Sequence, residues 1–358
     1  MKQSLAKFMQ QFPKDVDAAL IINDDNRTYL TGFKSSAGNL LITKEKAWLI
    51  IDGRYFEKAS EVVEGVEVVL LSNLSAQITE RLQAVGAKVL GVESNQMVLK
   101  YYNNLKADLK DNFTVIDSNT VSNLIEELKM VKFDYELELM KKAQSITDKT
   151  FEYMLGIIKP GMTEREIATE LEYFMKKNGA TGFAFDTICV AGPNSSLPHG
   201  VPTDRKIQSG DFLTMDFGAM YNGYCSDMTR TIGIGKLSDE QVRCYNTVHE
   251  AQQKAFDKIA TAKAYKEVDL AAREYIDSTE FKGLFTHGLG HSLGILLHED
   301  PGFSRGCTLD ILPGSIITVE PGIYKAGQYG VRIEDMVYLK GNGEFENLTH
   351  SDKSLIIL

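Results

Sequence analysis

Acidic residues set inside alternating, strand-like runs constrain this 358-residue chain more than any other feature. They occur in four segments punctuated by glycine or proline: MDFGAMYNGYCSDMTRT (215–231), THGLGHSLGILLHE (286–299), TVEPGIY (318–324) and VRIEDMV (331–337). A carboxylate that faces a core without a partner is costly. Such charges call for a cation, and Asp216, Asp227, His291, Glu320 and Glu334 are the candidate ligands.

The first acidic pair is placed by turn geometry. Asn222-Gly223 is a strong signal for a two-residue hairpin, because both residues tolerate positive φ and the turn's twist matches that of its strands. In the resulting register Tyr221 faces Tyr224, Gly218 faces Asp227 and Asp216 faces Thr229. Side chains alternate with period two, so Asp216 and Asp227 share a face as diagonal neighbours, roughly 7–8 Å apart at the backbone. One metal could bridge them, and two could share them.

The second pair favours two ions. Glu320 and Glu334 flank a turn-rich stretch from Pro321 to Gly330, and the alternation in Val331-Arg332-Ile333-Glu334 points Arg332 and Glu334 to one face of a strand. Four converging carboxylates carry about four negative charges; a single divalent ion would leave like charges crowded and some of them protonated. Oxygen-rich ligation with one imidazole suits Mn, Co, Fe or Zn and argues against a thiolate site.

The histidines narrow the chemistry. His287 and His291 have the spacing of a helical zinc site, but Gly288, Gly290 and Gly294 disfavour a regular helix, and no Glu follows His287 as HExxH requires. A free imidazole has a pKa of about 6.5, so histidine suits carrying protons or donating to a developing oxyanion at neutral pH, and His199 in LPHG and His298 in LHE are the candidates. His249 and His350 lie outside the motifs and receive no role.

In order, NSSLPHG, MDFGAMYNGYCSDMTRT, HGLGHSLGILLHE, VEPGIY and VRIED resemble the pita-bread metallopeptidases. The proline-directed branch, which includes Xaa-Pro aminopeptidase (aminopeptidase P) and prolidase, also carries an amino-terminal domain that NRTYLTGF (26–33) and DGRY (52–55) resemble. At matching positions the resemblance implies that Asp216 binds one metal, that Asp227 and Glu334 bridge both, and that His291 and Glu320 complete the second site. It implies two divalent ions, manganese first, with cobalt, zinc or iron as alternatives. His199, His287 and His298 correspond to catalytic and substrate-site histidines, Glu320 to the proton relay, and Tyr324 and Arg332 to groups that support the substrate site. Val190-Ala191-Gly192 departs from the commoner serine before glycine but touches no ligand.

Length and rhythm fit that expectation. A chain of this size favours two domains. Residues 1–125 alternate short apolar runs (18–22, 48–51, 66–71, 89–92) with helical stretches, as an α/β domain with a mixed sheet does; the resemblance gives it a substrate-gating and oligomerisation role. Residues 126–358 are expected to form an α+β pita-bread catalytic domain with helices behind a curved sheet. A charged helix starts from Asp134 as N-cap, and capping boxes at Thr163/Glu166 and Ser238/Gln241 open two more. A net charge of −10 and a pI near 5.2 disfavour nucleic acid and anionic membranes as partners. The four cysteines form no CxxC pair, and the amino terminus lacks a signal-peptide stretch; both fit a cytoplasmic protein.

The expected reaction is metal-dependent hydrolysis of an amino-terminal Xaa-Pro bond. Two metals sharing a water lower its pKa from about 15.7 towards neutrality, and the resulting bridging hydroxide attacks the scissile carbonyl. Proline preference rests on the resemblance. A dipeptidase (prolidase) must also recognise a free carboxylate, which several prolidases do with an arginine in an HExPR context. Here His298-Glu299-Asp300-Pro301 runs on to Gly302, with Arg305 the nearest substitute, and this leans towards the aminopeptidase. A metal-free creatinase-like hydrolase or a non-catalytic binding protein of the same fold would not retain all five ligands. The expected assembly is a homodimer acting on proline-containing peptides.

Overall fold

Buried apolar strands build the amino-terminal unit. In the computed structural model, which describes residues 1–117 and 119–358, the chain divides into two compact units, Met1–Lys129 and Met130–Leu358. The first holds a six-stranded sheet in the order Glu67–Leu70, Ala47–Ile51, Asn39–Ile42, Ala18–Ile21, Val89–Val92, Thr114–Ile116. The sheet is mixed: Asn39–Ile42 runs antiparallel to both neighbours, and the other pairs are parallel. Its central strands are buried on both faces, as their continuous apolar sequences require. Asn23 caps the helix Asp24–Thr31 by accepting from Asn26 N, and Gly32 ends it at φ 76°. The helix Asn119–Met130 spans the expected break after residue 125.

The second unit is built on strands whose two faces differ. In Phe212–Phe217, Leu213, Met215 and Phe217 join a core with Ile146, Phe151 and Met154 of the helix Asp134–Leu155 and with Ile167, Leu171 and Met175 of the helix Glu164–Lys177. Thr214 and Asp216 alternate with them, so the carboxylate lies on the face away from those helices. A second core packs Ile317, Val319, Val331 and Val337 against the helices Asp239–Ile259 and Tyr265–Asp277. Both expected capping boxes form. The N-cap of Asp134–Leu155 is Phe133, so Asp134 is its first helical residue; Glu136 turns back to accept from Phe133 N at 2.9 Å.

The hairpin pairs as its turn dictates. Asn222 and Gly223 have φ of 48° and 88°, Tyr221 pairs with Tyr224, and Asp216 pairs with Thr229. The ladder breaks around Gly218, where a Cβ would lie 1.9 Å from Ser226 O. Its lower part joins Ile188–Ala191 in a three-stranded sheet, while its upper part joins Gly182–Phe183. The stretch between Glu320 and Glu334 is itself a hairpin, Gly322–Lys325 with Tyr329–Arg332. That strand ends at Arg332, and Glu334 sits in the break before Asp335–Gly341.

Candidate metal centre

Strand ends and turns of the second unit bring all five candidate ligands to one cavity of about 550 Å³. Asp216 and Asp227 come from the two arms of the Asn222-Gly223 hairpin. His291 lies on the short strand Gly290–Ser292, which packs closely because a Cβ on Gly290 would meet Thr318 O at 1.9 Å. Glu320 follows Ile316–Val319. His199, His287, His298 and Arg332 line the same cavity. Tyr324 is not among its lining residues.

The side chains converge at ligand distances from one another. One atom each of Asp227, His291 and Glu334 lies within 4.8 Å of the others. His291 Nε2 is 3.5 Å from Asp227 Oδ2 and 3.6 Å from Glu320 Oε1, and its Nδ1 donates to Ser292 O at 3.1 Å, which leaves Nε2 as the atom available to a cation. Arg332 Nη2 donates to Asp216 Oδ2 at 2.6 Å, Thr229 Oγ1 to Glu334 Oε2 at 2.7 Å, and Thr318 Oγ1 to Glu320 Oε1 at 3.1 Å. Asp216 Oδ1 and Asp227 Oδ1 are buried with no hydrogen-bond partner.

One guanidinium cannot balance this cluster. Burial, with Glu334, Asp216 and Glu320 nearby, pushes the Asp227 carboxyl well above the usual carboxylate range. Burial and the same crowding do so for Glu334, and burial pushes Glu320 up to about 8. Burial also lowers His291 to about 4, keeping it neutral as a ligand must be. Orphaned carboxylate oxygens, like-charge crowding and a neutral imidazole are the features a pair of hard divalent cations would satisfy. The residues present fit such a centre.

The histidines divide into two kinds. His199 and His298 are exposed at the cavity, and burial lowers His298 below its ordinary value, which favours its neutral form. His287 is different. Burial lowers it to about 4, and its Nδ1 lies 2.7 Å from Gly288 O, which can only accept. Nδ1 therefore carries the hydrogen, and Nε2 accepts from Tyr324 OH at 2.9 Å. Tyr324 in turn accepts from Arg332 Nη1 at 2.8 Å. Both ring nitrogens of His287 are thus engaged, and the imidazole lines the cavity while holding the Tyr324 hydroxyl. The Tyr324 hydroxyl is held between His287 and Arg332.

Sequence reasoning passed over Thr229 and Thr318, which donate to Glu334 and Glu320. Thr229 was within reach, since the hairpin register sets it opposite Asp216. Thr318 precedes Glu320 by two residues and so shares its face.

Residues 138–341 match the metallopeptidase family M24, and residues 3–131 match the Creatinase/Prolidase N-terminal domain. The chain is 40% identical over 344 residues to the uncharacterized peptidase YqhT of Bacillus subtilis, covering 96% of each. Among solved structures it is similar to an Xaa-Pro dipeptidase from Bacillus anthracis (37% identity, 99% of this chain and 98% of that one, TM-score 0.91). It is also similar to an X-Pro aminopeptidase from Thermotoga maritima (35%, 98% and 99%, TM-score 0.89).

Proposed function

We propose, on the premise that this chain belongs to metallopeptidase family M24, that it is an Xaa-Pro aminopeptidase built around two divalent metal ions. The observation that carries the metal centre is the convergence of Asp216, Asp227, His291, Glu320 and Glu334 on one cavity, with two of their oxygens unpartnered. Asp216, Asp227 and Glu334 would hold one ion, and Asp227, Glu334, His291 and Glu320 the other. Manganese is the first choice, with cobalt, zinc or iron as alternatives. When bound, the ions supply a water acidified to near-neutral pKa and polarise the scissile carbonyl.

The protein's own groups do the rest. Glu320 has one oxygen tied to Thr318 and a second left to take the water's proton and pass it to the departing amine. His298 donates towards the carbonyl oxygen as charge develops there, and His199 lines the same cavity and contacts the substrate. Arg332, tied to Asp216 and Tyr324, keeps the first carboxylate in register.

Proline specificity is supported by the names of the similar proteins, which include both an aminopeptidase and a dipeptidase. Gly302, where several prolidases place arginine, favours the aminopeptidase; the likeness to the Bacillus anthracis dipeptidase favours the second reading. Assays with Mn and Co on Xaa-Pro dipeptides beside Xaa-Pro-Yaa peptides separate them. Faster cleavage of the tripeptides supports the aminopeptidase, and turnover confined to dipeptides replaces it with the dipeptidase.

The reading extends to a homodimer in which the amino-terminal unit limits substrate length, and to a cytoplasmic setting that suits four free cysteines. No helix among the described residues is long and apolar enough to cross a membrane. Light scattering tests the dimer, and a monomer would remove that part of the proposal.

A further inference from the structure

We propose that Asp269 and Arg273, which belong to none of the ligand motifs, are positioning residues that set His287 and through it the Tyr324–Arg332 arm of the site. The inference rests on the functional reading above for its effect on turnover, but its geometry stands alone. The two residues lie four apart on the helix Tyr265–Asp277 and share a face. Asp269 is fully buried and Arg273 is 7% exposed. Their carboxylate and guanidinium meet side-on, with Nε to Oδ2 and Nη2 to Oδ1 both 2.9 Å.

What this pair does with its remaining valences is specific. Arg273 Nη1 donates to Phe285 O at 2.8 Å and Nη2 to His287 O at 2.6 Å, while Asp269 Oδ1 accepts from Leu289 N at 3.0 Å. Residues 285, 287 and 289 are alternate positions of an irregular segment, bent at 287 and 289, outside any named strand. The pair therefore satisfies main-chain groups of that segment that no strand pairing reaches. The guanidinium also stacks on Phe285 at 4.2 Å, and the Phe285 ring meets the edge of His287 at 5.0 Å.

The opposite flank of the segment faces the metal centre. Leu289 O accepts from Glu320 N at 2.8 Å, and His287 Nε2 takes the Tyr324 hydroxyl. A shift of the 285–289 segment thus moves two things together, the Glu320 main chain and the imidazole that fixes Tyr324. A buried ion pair is a poor way to gain stability, since its desolvation cost offsets its attraction. Its distinctive yield is directional hydrogen bonding to three main-chain groups at once, which an apolar pair of the same volume could not supply.

The test uses the full-length chain and two variants. Arg273→Lys keeps the charge opposite Asp269 but loses the fork that reaches both carbonyls. The double variant Asp269→Leu with Arg273→Met removes both charges, so no unpaired ion is left in the core should the lysine variant fail to fold. In ¹⁵N-histidine-labelled, metal-free protein, the Nδ1–H resonance of His287, assigned by its loss in His287→Gln, should shift or broaden through solvent exchange in both variants. The resonances of His249, exposed on the helix Asp239–Ile259, should stay in place. In manganese-loaded protein kcat on an Xaa-Pro-Yaa peptide should fall about 10- to 100-fold, as small misplacements do, with KM and metal stoichiometry close to wild type. A wild-type His287 resonance in either folded variant overturns the proposal, whatever the turnover. If the unaltered protein cleaves no Xaa-Pro peptide, the functional reading fails, and the resonance still decides the positioning role.

Discussion

Both units bury carboxylates, but they treat them in opposite ways. In the first unit Glu93 is fully buried and answered by the chain: it accepts from Ile22 N, Asn23 N and Asn26 Nδ2. Burial still raises its pKa, yet those donors and Lys129 act against the rise. In the second unit Asp227 and Glu334 are raised by burial and by one another's neighbours, with one guanidinium among them. The contrast is sharpest between adjacent residues. Burial pushes Asp335 up, but Arg230, Lys353 and Asn347 outweigh it and hold its carboxyl below the usual range, while Glu334 beside it stays high. A buried acid whose charge is balanced by cations and donors serves the fold, whereas acids crowded with like charges, with oxygens left unpartnered, point to a ligand the chain does not supply.

The largest effect should come from breaking the unsatisfied cluster. Asp227→Ala should abolish turnover, by more than about 100-fold, and lower bound metal, because a bridging carboxylate supports both ions; elemental analysis and peptide assays check it. Two retained metals with substantial turnover would count against the assignment. Breaking the satisfied network should instead cost stability. Asp335→Ala strands the Arg230 guanidinium in the core and should lower folding stability by roughly 3–5 kcal/mol, read as a fall in the urea midpoint. An unchanged midpoint would show that Asp335 is no structural anchor.

His298→Ala lies between the two regimes. It should keep both metals and lower kcat by about 100-fold, as loss of one oxyanion donor typically does. An unchanged kcat would make His298 a bystander. Glu93→Gln should be milder, since an amide retains one acceptor but faces a backbone N–H with a donor; a loss of roughly 1–3 kcal/mol is expected. Its metal content and turnover should match wild type, and a loss of either would mean that the two buried-acid sites are not independent.

The smallest effect is one of pH on the metal-free protein. Glu320 is raised in the folded state to about 8, so the folded chain holds more protons than the unfolded one above the ordinary carboxylate range. Its stabilising share is present at low pH and is lost as pH rises through about 8. Below about pH 6.5 the neutral His287 and His291, lowered to about 4, act with the opposite sign. Between pH 6.5 and about 8 the Tm of metal-free protein should therefore fall, and saturating manganese should flatten the slope. A Tm that rises over that window would contradict the carboxylate account.

Local features of both units were legible in the sequence. The Asn222-Gly223 turn fixed the pairing of Asp216 with Thr229, because two positive φ values leave one register. Thr163/Glu166 and Ser238/Gln241 cap helices through contacts only three residues apart. Asp134 was misplaced by one position because Phe133, with no capping side chain, takes the N-cap and Glu136 supplies the reciprocal bond. Alternation carried Arg332 and Glu334 as one strand, but strand pairing stops at Arg332, and Glu334 N turns to Thr229 O. The state of His287 was not legible, since its tautomer depends on Gly288 O and on a tyrosine 37 residues away. Asp269 and Arg273 read only as an ordinary helical ion pair until residues 285–289 are seen against them.

The central claim is that the unanswered acids form a site for two cations. Calorimetric titration of metal-free protein with Mn²⁺ near pH 7.5, repeated in buffers of different ionisation enthalpy, tests it most directly. Two ions per chain should bind with net proton release, because Glu320, pushed up to about 8 by burial, must give up its proton to ligate, and Glu334→Gln should lose at least one ion. Absence of binding, or binding of the same stoichiometry in Glu334→Gln without proton release, would contradict the account.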